Sequence, residues 1–330
     1  MAWFPDEQWC AKAGGIIDQE FFDFDAQSDR LVGHDQDYLQ LSDGRFHGRF
    51  VSCFLGAHAS LHIEYANQAL SQSIGGASGC YSLGVVLGAS EPFRANGVEI
   101  DTGAIFVVPP QSAFHLFSPK HASILACVVD KAALDARLAC APQILEWLDA
   151  LGTDLACLRA PLLAERLRQD AYSALHASGP DAVVDPQPEW IGRALIDSFS
   201  AGLMLEWGSG ISMIGQEVHP RFARFMTART TLDHAIQSET PIHMVSDGIE
   251  MSKRSLQYAF SRELSVGVSS YALRARLHAV RRTLADPKGN PGSIGDLAAQ
   301  QGFWSWSHFS KQYRQLFGER PSETKARATA

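Results

Sequence analysis

Hydrophobic positions change their spacing along this chain of 330 residues. Over 58–66 they alternate, with Ala59, Leu61, Ile63 and Tyr65 on one face and His58, Ser60, His62 and Glu64 on the other. That period of two marks a strand with unlike faces. Short apolar or alternating runs follow at 83–87, 105–108, 114–117 and 124–129, separated by Gly75-Gly76, Gly79, Gly88, Asn96-Gly97, Gly103 and Pro109-Pro110. Strands at this spacing with glycine-rich turns predict a small sandwich or barrel over 45–130. Residues 1–44 are polar and aromatic and carry few regular signals. From Lys131 the apolar period lengthens, and helices are expected over 131–140, 142–151, 160–177 and 189–207. Gly179-Pro180 and 185–188 break them, and Gly208-Ser209-Gly210 opens a linker that runs to about Pro220.

The last hundred residues contain one pattern twice. Leu256, Phe260 and Leu264 are matched 53 positions later by Phe309, Tyr313 and Phe317, and Ser252 by Ser305. Upstream, Val245-Ser246 is matched by Leu297-Ala298 at an offset of 52, so the second turn is one residue longer. Apolar residues at i, i+4 and i+8 behind a serine are one face of a capped helix. A short helix, a tight turn and a second capped helix make a helix-turn-helix. Seven helices are expected here: 221–238; a support helix at 241–248; a recognition helix at 253–264; a long helix at 269–285 with Leu273, Leu277, Val280 and Leu284 on one face; a second support helix at 293–301; a second recognition helix at 305–317; and a tail helix after Pro321. Asp286-Pro287 stops the long helix, and Ser293 with Asp296 makes a capping-box-like start.

Charge sharpens this division. The chain carries −8 overall, but residues 221–330 hold 16 Lys and Arg against 9 Asp and Glu, while 1–220 hold 12 against 27. The basic end suits a nucleic-acid or membrane partner, and the acidic part would be repelled by phosphates. No apolar run is long enough to span a bilayer, and the N-terminus lacks a signal-peptide layout. Six cysteines at 10, 53, 80, 127, 140 and 157 show no Cys-x-x-Cys, so they read as small core residues in a reducing cytoplasm.

Three stretches, SKRSLQYAFSREL, YALRARLHAVRRTL and SIGDLAAQQGFWSWSHFSKQYRQLFGERPS, together resemble the AraC/XylS family of bacterial transcription regulators. The most specific residues are 294–298, Gly302-Phe303, Phe309, Tyr313, Phe317-Gly318 and Pro321-Ser322. The resemblance implies two helix-turn-helix units held by the middle helix, with recognition helices in successive major grooves of double-stranded DNA. It also implies an activator that works with RNA polymerase. The sequence departs from the family pattern at Glu250 and Ser265, where glycines are usual. It departs again at Trp304 and Trp306, which replace small or acidic residues at the start of the second recognition helix.

The helical spacing independently selects the side chains that face DNA. With Leu256, Phe260 and Leu264 turned inward, Lys253, Arg254, Gln257 and Tyr258 lie near the exposed end of the first recognition helix. On the second, Trp306, Ser307, Ser310 and Lys311 do. Arg and Lys suit guanine O6/N7 and Gln suits adenine N6/N7, whereas an indole meets only a thymine methyl. Arg262, Arg281, Arg282, Arg314 and Lys325 are candidate phosphate contacts. Arg276 has two readings, a phosphate contact or a hydrogen-bonded clamp between the units, and the clamp is favoured.

The stretch LQLSDGRFHGRF (39–50), with AVRRTL, GFWSWSHF and YRQLFGERPS, is similar to the regulators of ethanolamine-utilisation operons. That resemblance implies a cupin-like barrel that binds ethanolamine or another amine, with adenosylcobalamin as a possible co-effector. A small amino alcohol calls for a carboxylate, an aromatic face and a hydroxyl partner. Glu64, Tyr65, Tyr81 and Phe106 are of the right type. The competing reading is a cupin-type metal-dependent enzyme attached to a DNA-binding module, using His58, His62, Glu64 and His115 as ligands. The spacing lacks a His-x-His pair, and no Gly-x-Ser-x-Gly, phosphate loop or His-Glu-x-x-His occurs. The expectation is an α+β chain that is not an enzyme. A cupin-like effector domain spans 1–130, a helical dimerisation or linker region spans 131–220, and an all-α domain with two helix-turn-helix units spans 221–330. The helices of 131–210 either support a homodimer or pack on the barrel.

Overall fold

The computed structural model describes residues 16–31, 33–177, 188–215, 219–237, 251–286 and 292–328. Its fold is mixed α+β, and contacts divide the chain into two units. The first comprises Met1–Tyr38, His47–Asn67 and Gln72–Gln216; the second gathers Leu39–Phe46 and Gln68–Ser71 with Glu217–Ala330.

The first unit is built on two sheets. The larger contains β1 (Ile16–Phe21), β3 (Gly48–Phe54), β4 (Ala59–Ala66), β11 (Ala122–Asp130), β6 (Cys80–Gly88), β9 (Ala104–Val108), β12 (Ala156–Arg159) and β13 (Ser212–Ile214), in that spatial order. The smaller runs β2 (Asp35–Gln40), β5 (Leu70–Gly75), β10 (Ala113–Ser118), β7 (Phe93–Ala95), β8 (Val98–Ile100). The alternation at 58–66 forms β4 as expected. Its Ala59 and Leu61 enter an apolar core with Tyr81, Leu83, Val85, Ile105, Val107, Leu125 and Cys127.

Helices cover that core. α1 is a short turn, Phe24–Ser28, capped by Asp23, whose side chain accepts the Asp25 N–H at 2.9 Å. α2 (Lys131–Leu138), α3 (Pro142–Ala150), α4 (Pro161–Ala177) and α5 (Pro188–Gly208) match the expected helices closely. α4 buries Leu163, Ala164, Leu167, Ala171 and Ala174 against Leu195, Ile196, Phe199 and Leu203 of α5 and the sheet's outer face. At Gly192 an added Cβ would lie 2.2 Å from the Leu55 carbonyl oxygen, so only glycine lets α5 come this close. The apolar faces of α2, α3, α4 and α5 therefore pack on the sheet.

Several short elements depart from the sequence reading. β1, α1 and β2 lie in the stretch expected to be irregular, and β12 and β13 lie in the stretch expected to be helical or linker. β12 pairs with β9 through Cys157↔Phe106, so the chain after 131 returns to the sheet rather than leaving it as a linker. Cys53, Cys80, Cys127 and Cys157 are buried free thiols, but Cys140 is exposed, which corrects its placement in the core.

The second unit is helical: α6 (His219–Gln237), α7 (Lys253–Leu264), α8 (Val268–Ala285), α9 (Ile294–Gln300), α10 (Trp306–Phe317) and α11 (Pro321–Ala328). The support helix expected at 241–248, with Glu250 in its turn, lies outside the described residues. Residues 39–46 are part of this unit. Gln40 donates its backbone N–H to His278 Nε2 at 2.9 Å and its side-chain amide to the Leu316 carbonyl at 2.6 Å. Gly44 N–H reaches the Gln315 carbonyl at 3.0 Å, and Asp43 accepts from Gln315 Nε2 at 2.7 Å. These donors satisfy carbonyls in the last turn of α10, which have no partners within the helix.

Candidate nucleic-acid interface

Each recognition helix begins at a serine and buries one stripe. Ser252 caps α7 by accepting the Ser255 N–H at 3.1 Å. Leu256, Phe260 and Leu264 are buried, and Phe260 meets Phe225 edge-on at 5.2 Å and the tilted ring of Tyr271 at 5.0 Å. Tyr271 locks α8 to α6, donating its hydroxyl to Asp233 at 2.8 Å and accepting from Arg229 Nε at 2.9 Å. In the second copy Phe309, Tyr313 and Phe317 are buried and their rings pack in sequence, 5.7 and 4.8 Å apart. Ser293 caps α9, accepting the Asp296 N–H at 3.0 Å, and Tyr313 bonds Thr324 of α11 at 2.8 Å. Ser305 occupies the N-cap of α10 but makes no capping hydrogen bond with its side chain.

With both stripes inward, the opposite faces are exposed. Lys253, Arg254, Gln257 and Tyr258 are exposed on α7, as are Trp306, Ser307, His308, Lys311 and Arg314 on α10; Ser310 is half-buried. Gln257 folds back on the next turn, where its Oε1 accepts the Val268 N–H at 3.3 Å, and the missing side chain of Gly267 makes room for it. Lys253 and Arg254 thus remain the free hydrogen-bonding end of α7.

The second copy holds an open groove of about 750 Å³ lined by Trp306, Ser310, Lys311, Arg314, Arg320 and Ser322, among others. Three cations on one concave surface suit a phosphate backbone. Arg320 was missed by the sequence reading; its exposure and its place just before α11 mark it. Arg281, expected at phosphate, is instead 2% exposed, over the Phe317 ring at 5.5 Å and 3.6 Å from Glu319. Its side of α8 faces α10 and α11 rather than solvent. Arg262 pairs with Glu263, and Lys325 donates to the Gly292 carbonyl at 2.9 Å. Arg276 is half-buried with a nitrogen beside Gly302 at the second unit's turn, and burial lowers its pKa.

The four residues expected to contact an effector do not share a face. Glu64 points between the sheets, where it accepts from Tyr38 Oη at 2.8 Å and Gln27 Nε2 at 2.8 Å. Burial raises its pKa, opposed by those hydrogen bonds and one from Gln72. Phe106 lies on the same inner face, its ring over Gly84 and 5.9 Å from Phe114. Tyr65 and Tyr81 are on the outer face. Tyr65 is 3.2 Å from His121, and Tyr81 sits in the helix-covered core with Lys131 over its ring at 5.5 Å. The neighbour rule of strands makes this inevitable for Glu64 and Tyr65.

The histidines of the metal reading have other partners. His62 is buried between Ser52 (3.0 Å) and Ser60 (2.9 Å), His115 meets Ser73 at 3.0 Å, and His58 lies 3.9 Å from Asp130. Among the described residues, no three His, Cys, Asp or Glu side chains gather as a metal set. No helix among them is long and apolar enough to cross a membrane.

Comparison with known proteins places the C-terminal part. Residues 245–327 match a family model described as a helix-turn-helix domain. Regulatory protein HrpB of Ralstonia nicotianae is 35% identical over 96 residues, which are 29% of this chain and 20% of that protein. XylDLEGF operon transcriptional activator 1 of Pseudomonas putida is 28% identical over 118 residues, 36% of this chain and 35% of the activator. The chain thus spans from 20% to 35% of these curated relatives. Among solved structures, a probable AraC family transcriptional regulator from Rhodopseudomonas palustris shares 29% identity over 32% of this chain and 99% of its own, with a TM-score of 0.28. The AraC-like transcriptional activator CuxR aligns over 87% of this chain and 100% of its own at 16% identity and a TM-score of 0.41. Residues 245–327 thus resemble a helix-turn-helix domain, and the aligned relatives carry the names of a regulatory protein and a transcriptional activator.

Proposed function

We propose that this protein is a sequence-specific DNA-binding transcription regulator of the AraC/XylS type, acting in the cytoplasm as an activator of a catabolic operon with RNA polymerase as its partner. The observation that carries the reading is the repeated recognition helix. Both copies bury an aromatic stripe and expose the opposite face, with Lys253 and Arg254 on one and Lys311, Arg314 and Arg320 around the other. The first helix supplies hydrogen bonds to base edges and the second anchors on phosphates. Footprinting on the DNA beside its own gene tests this. A protected site with two segments about one helical turn apart is expected, and no protection at low salt overturns the reading.

The two-sheet unit is proposed as a cupin-like sensor for a small effector such as ethanolamine or another amine. Glu64 and Phe106, on the inner face, are the candidate contacts there; Tyr65 and Tyr81 belong to the outer face. Adenosylcobalamin stays a candidate co-effector on the resemblance alone. Calorimetric titration of the full chain with ethanolamine, with and without cobalamin, tests the ligand, and absence of heat in both removes it. A homodimer is part of the proposal, with Leu162, Tyr172, Trp190 and Leu205 exposed on α4 and α5 as its candidate contacts. Sedimentation equilibrium measures it.

A further inference from the structure

The two recognition helices present unlike chemistry at equivalent positions. Lys253 opens α7, and Trp306, 53 residues later, opens α10. Arg254 is likewise matched by Ser307. Two residues before Trp306, Trp304 is 89% exposed, while Trp306 is 54% exposed. Large apolar side chains left in water on a folded surface mark a contact. Trp306 is held rather than loose, with its ring 5.6 Å from Phe309 in the core of the unit, and Phe303 packs on the same ring at 5.1 Å. It also forms a wall of the groove that contains Lys311, Arg314 and Arg320. An exposed indole beside three cations fits a polyanion with apolar groups within reach.

We propose that the second recognition helix reads thymine, with the indoles of Trp304 and Trp306 covering thymine C5-methyl groups in the major groove while Lys311, Arg314 and Arg320 hold the flanking phosphates. The inference rests on the DNA-binding reading above. The N-terminal end of a recognition helix is the part that meets base edges, and both indoles lie at that end of α10. An indole carries one N–H donor and no acceptor, so it cannot make the paired hydrogen bonds that identify guanine or adenine. The thymine methyl is the one apolar group on a base edge in that groove. The second half-site is therefore specified by buried methyls and the first by hydrogen bonds to α7.

The test uses the full chain and random double-stranded oligonucleotides. Selection should enrich a bipartite site in which one half carries thymines at fixed positions. Each of those thymines is then replaced by deoxyuridine, which removes only the methyl and leaves the hydrogen-bonding edge and the backbone intact. Affinity should fall by roughly fourfold per methyl that is covered. The Trp304→Ala protein, altered at a side chain with almost no packing in the fold, and the Trp306→Phe protein, which retains a ring against Phe309, should each lose discrimination at their own thymine. Equal binding of thymine and uracil duplexes by the wild type overturns the proposal and leaves the indoles to a protein partner. Discrimination that survives both replacements overturns it as well. If no duplex is enriched at all, it is the DNA-binding reading that fails.

Discussion

His62 lies inside the first unit with both ring nitrogens against hydroxyls, Ser52 on one side and Ser60 on the other. Burial, with a smaller contribution from His34, pushes its pKa down to about 3. The folded state therefore holds His62 neutral, whereas the unfolded chain takes up a proton below about 6.5. A histidine depressed in the folded state contributes stability that is complete above the unfolded pKa. That contribution is lost as pH falls from about 6.5 toward 3, at up to about 1.4 kcal/mol per pH unit. Glu64, whose pKa is raised by burial, has the opposite slope above its unfolded value. Denaturant unfolding of wild type and His62→Gln between pH 7 and 4 should show a shallower acid loss in the variant. At the same scale, arginines divide by what they touch. Arg254→Ala should weaken specific DNA binding by about 1–3 kcal/mol where it reads a base, and Lys311→Ala should weaken binding about equally on specific and random DNA, both with little change in melting. Arg281→Ala should instead lower the melting temperature, because it leaves Phe317 uncovered and removes one of the two arginines beside Glu319. Basic character was plain in the sequence for all three. Which of them is buried depends on the side of α8 that α10 and α11 cover, and no local pattern records that.

The recognition helices illustrate what an element owes to its ends. Their lengths follow from the i, i+4, i+8 stripe and the serine before it, so α7 was anticipated at 253–264 to the residue. Their C-terminal turns differ. Gly318 ends α10 with φ 68°, and Ser265 ends α7 with φ 57° in the same left-handed region. Left-handed backbone costs a residue with a Cβ about 1–2 kcal/mol, and glycine regains only part of this because of its greater freedom when unfolded. Ser265→Gly should therefore raise stability by about 0.5–1 kcal/mol, measured by urea unfolding. Gly318→Ala should do the reverse, since its Cβ would also meet the Arg45 backbone at 2.6 Å. Short strands were less legible. Among the described residues β1 (IIDQEF) borders only β3, and with Asp18, Gln19 and Glu20 all exposed its alternation is weak. β13, at three residues, is shorter than the window in which a period of two is recognisable, and β12, at four, is at its lower limit.

At the scale of the whole molecule the charge separates into a net of −15 over 1–220 and +7 over 221–330. DNA affinity should fall steeply with salt, with a slope near −0.9 for each phosphate neutralised. A fragment of 217–330 should keep that slope and ignore effector. It should also melt at a lower temperature than the same unit in the full chain. The fragment lacks Gln40 and Gly44, which donate to carbonyls at the end of α10, and Gln40 also donates to buried His278. Thermal unfolding followed by circular dichroism, beside salt-dependent anisotropy on a labelled duplex, measures both; a fragment as stable as the parent unit would contradict the role given to 39–46. What the sequence alone determined is periodic and local: two recognition helices each behind a serine, the apolar faces of β4 and α8, and a basic end. Such features repeat within a few residues, and a face that must be buried shows itself at once. The tertiary structure decided whatever depends on partners far along the chain. It put Phe106 on the face of Glu64 and Tyr81 on the face of Tyr65, brought β12 back to β9, and assigned 39–46 to the helical unit. Register and long-range hydrogen bonds settle those matters, and they leave no period in the sequence to read.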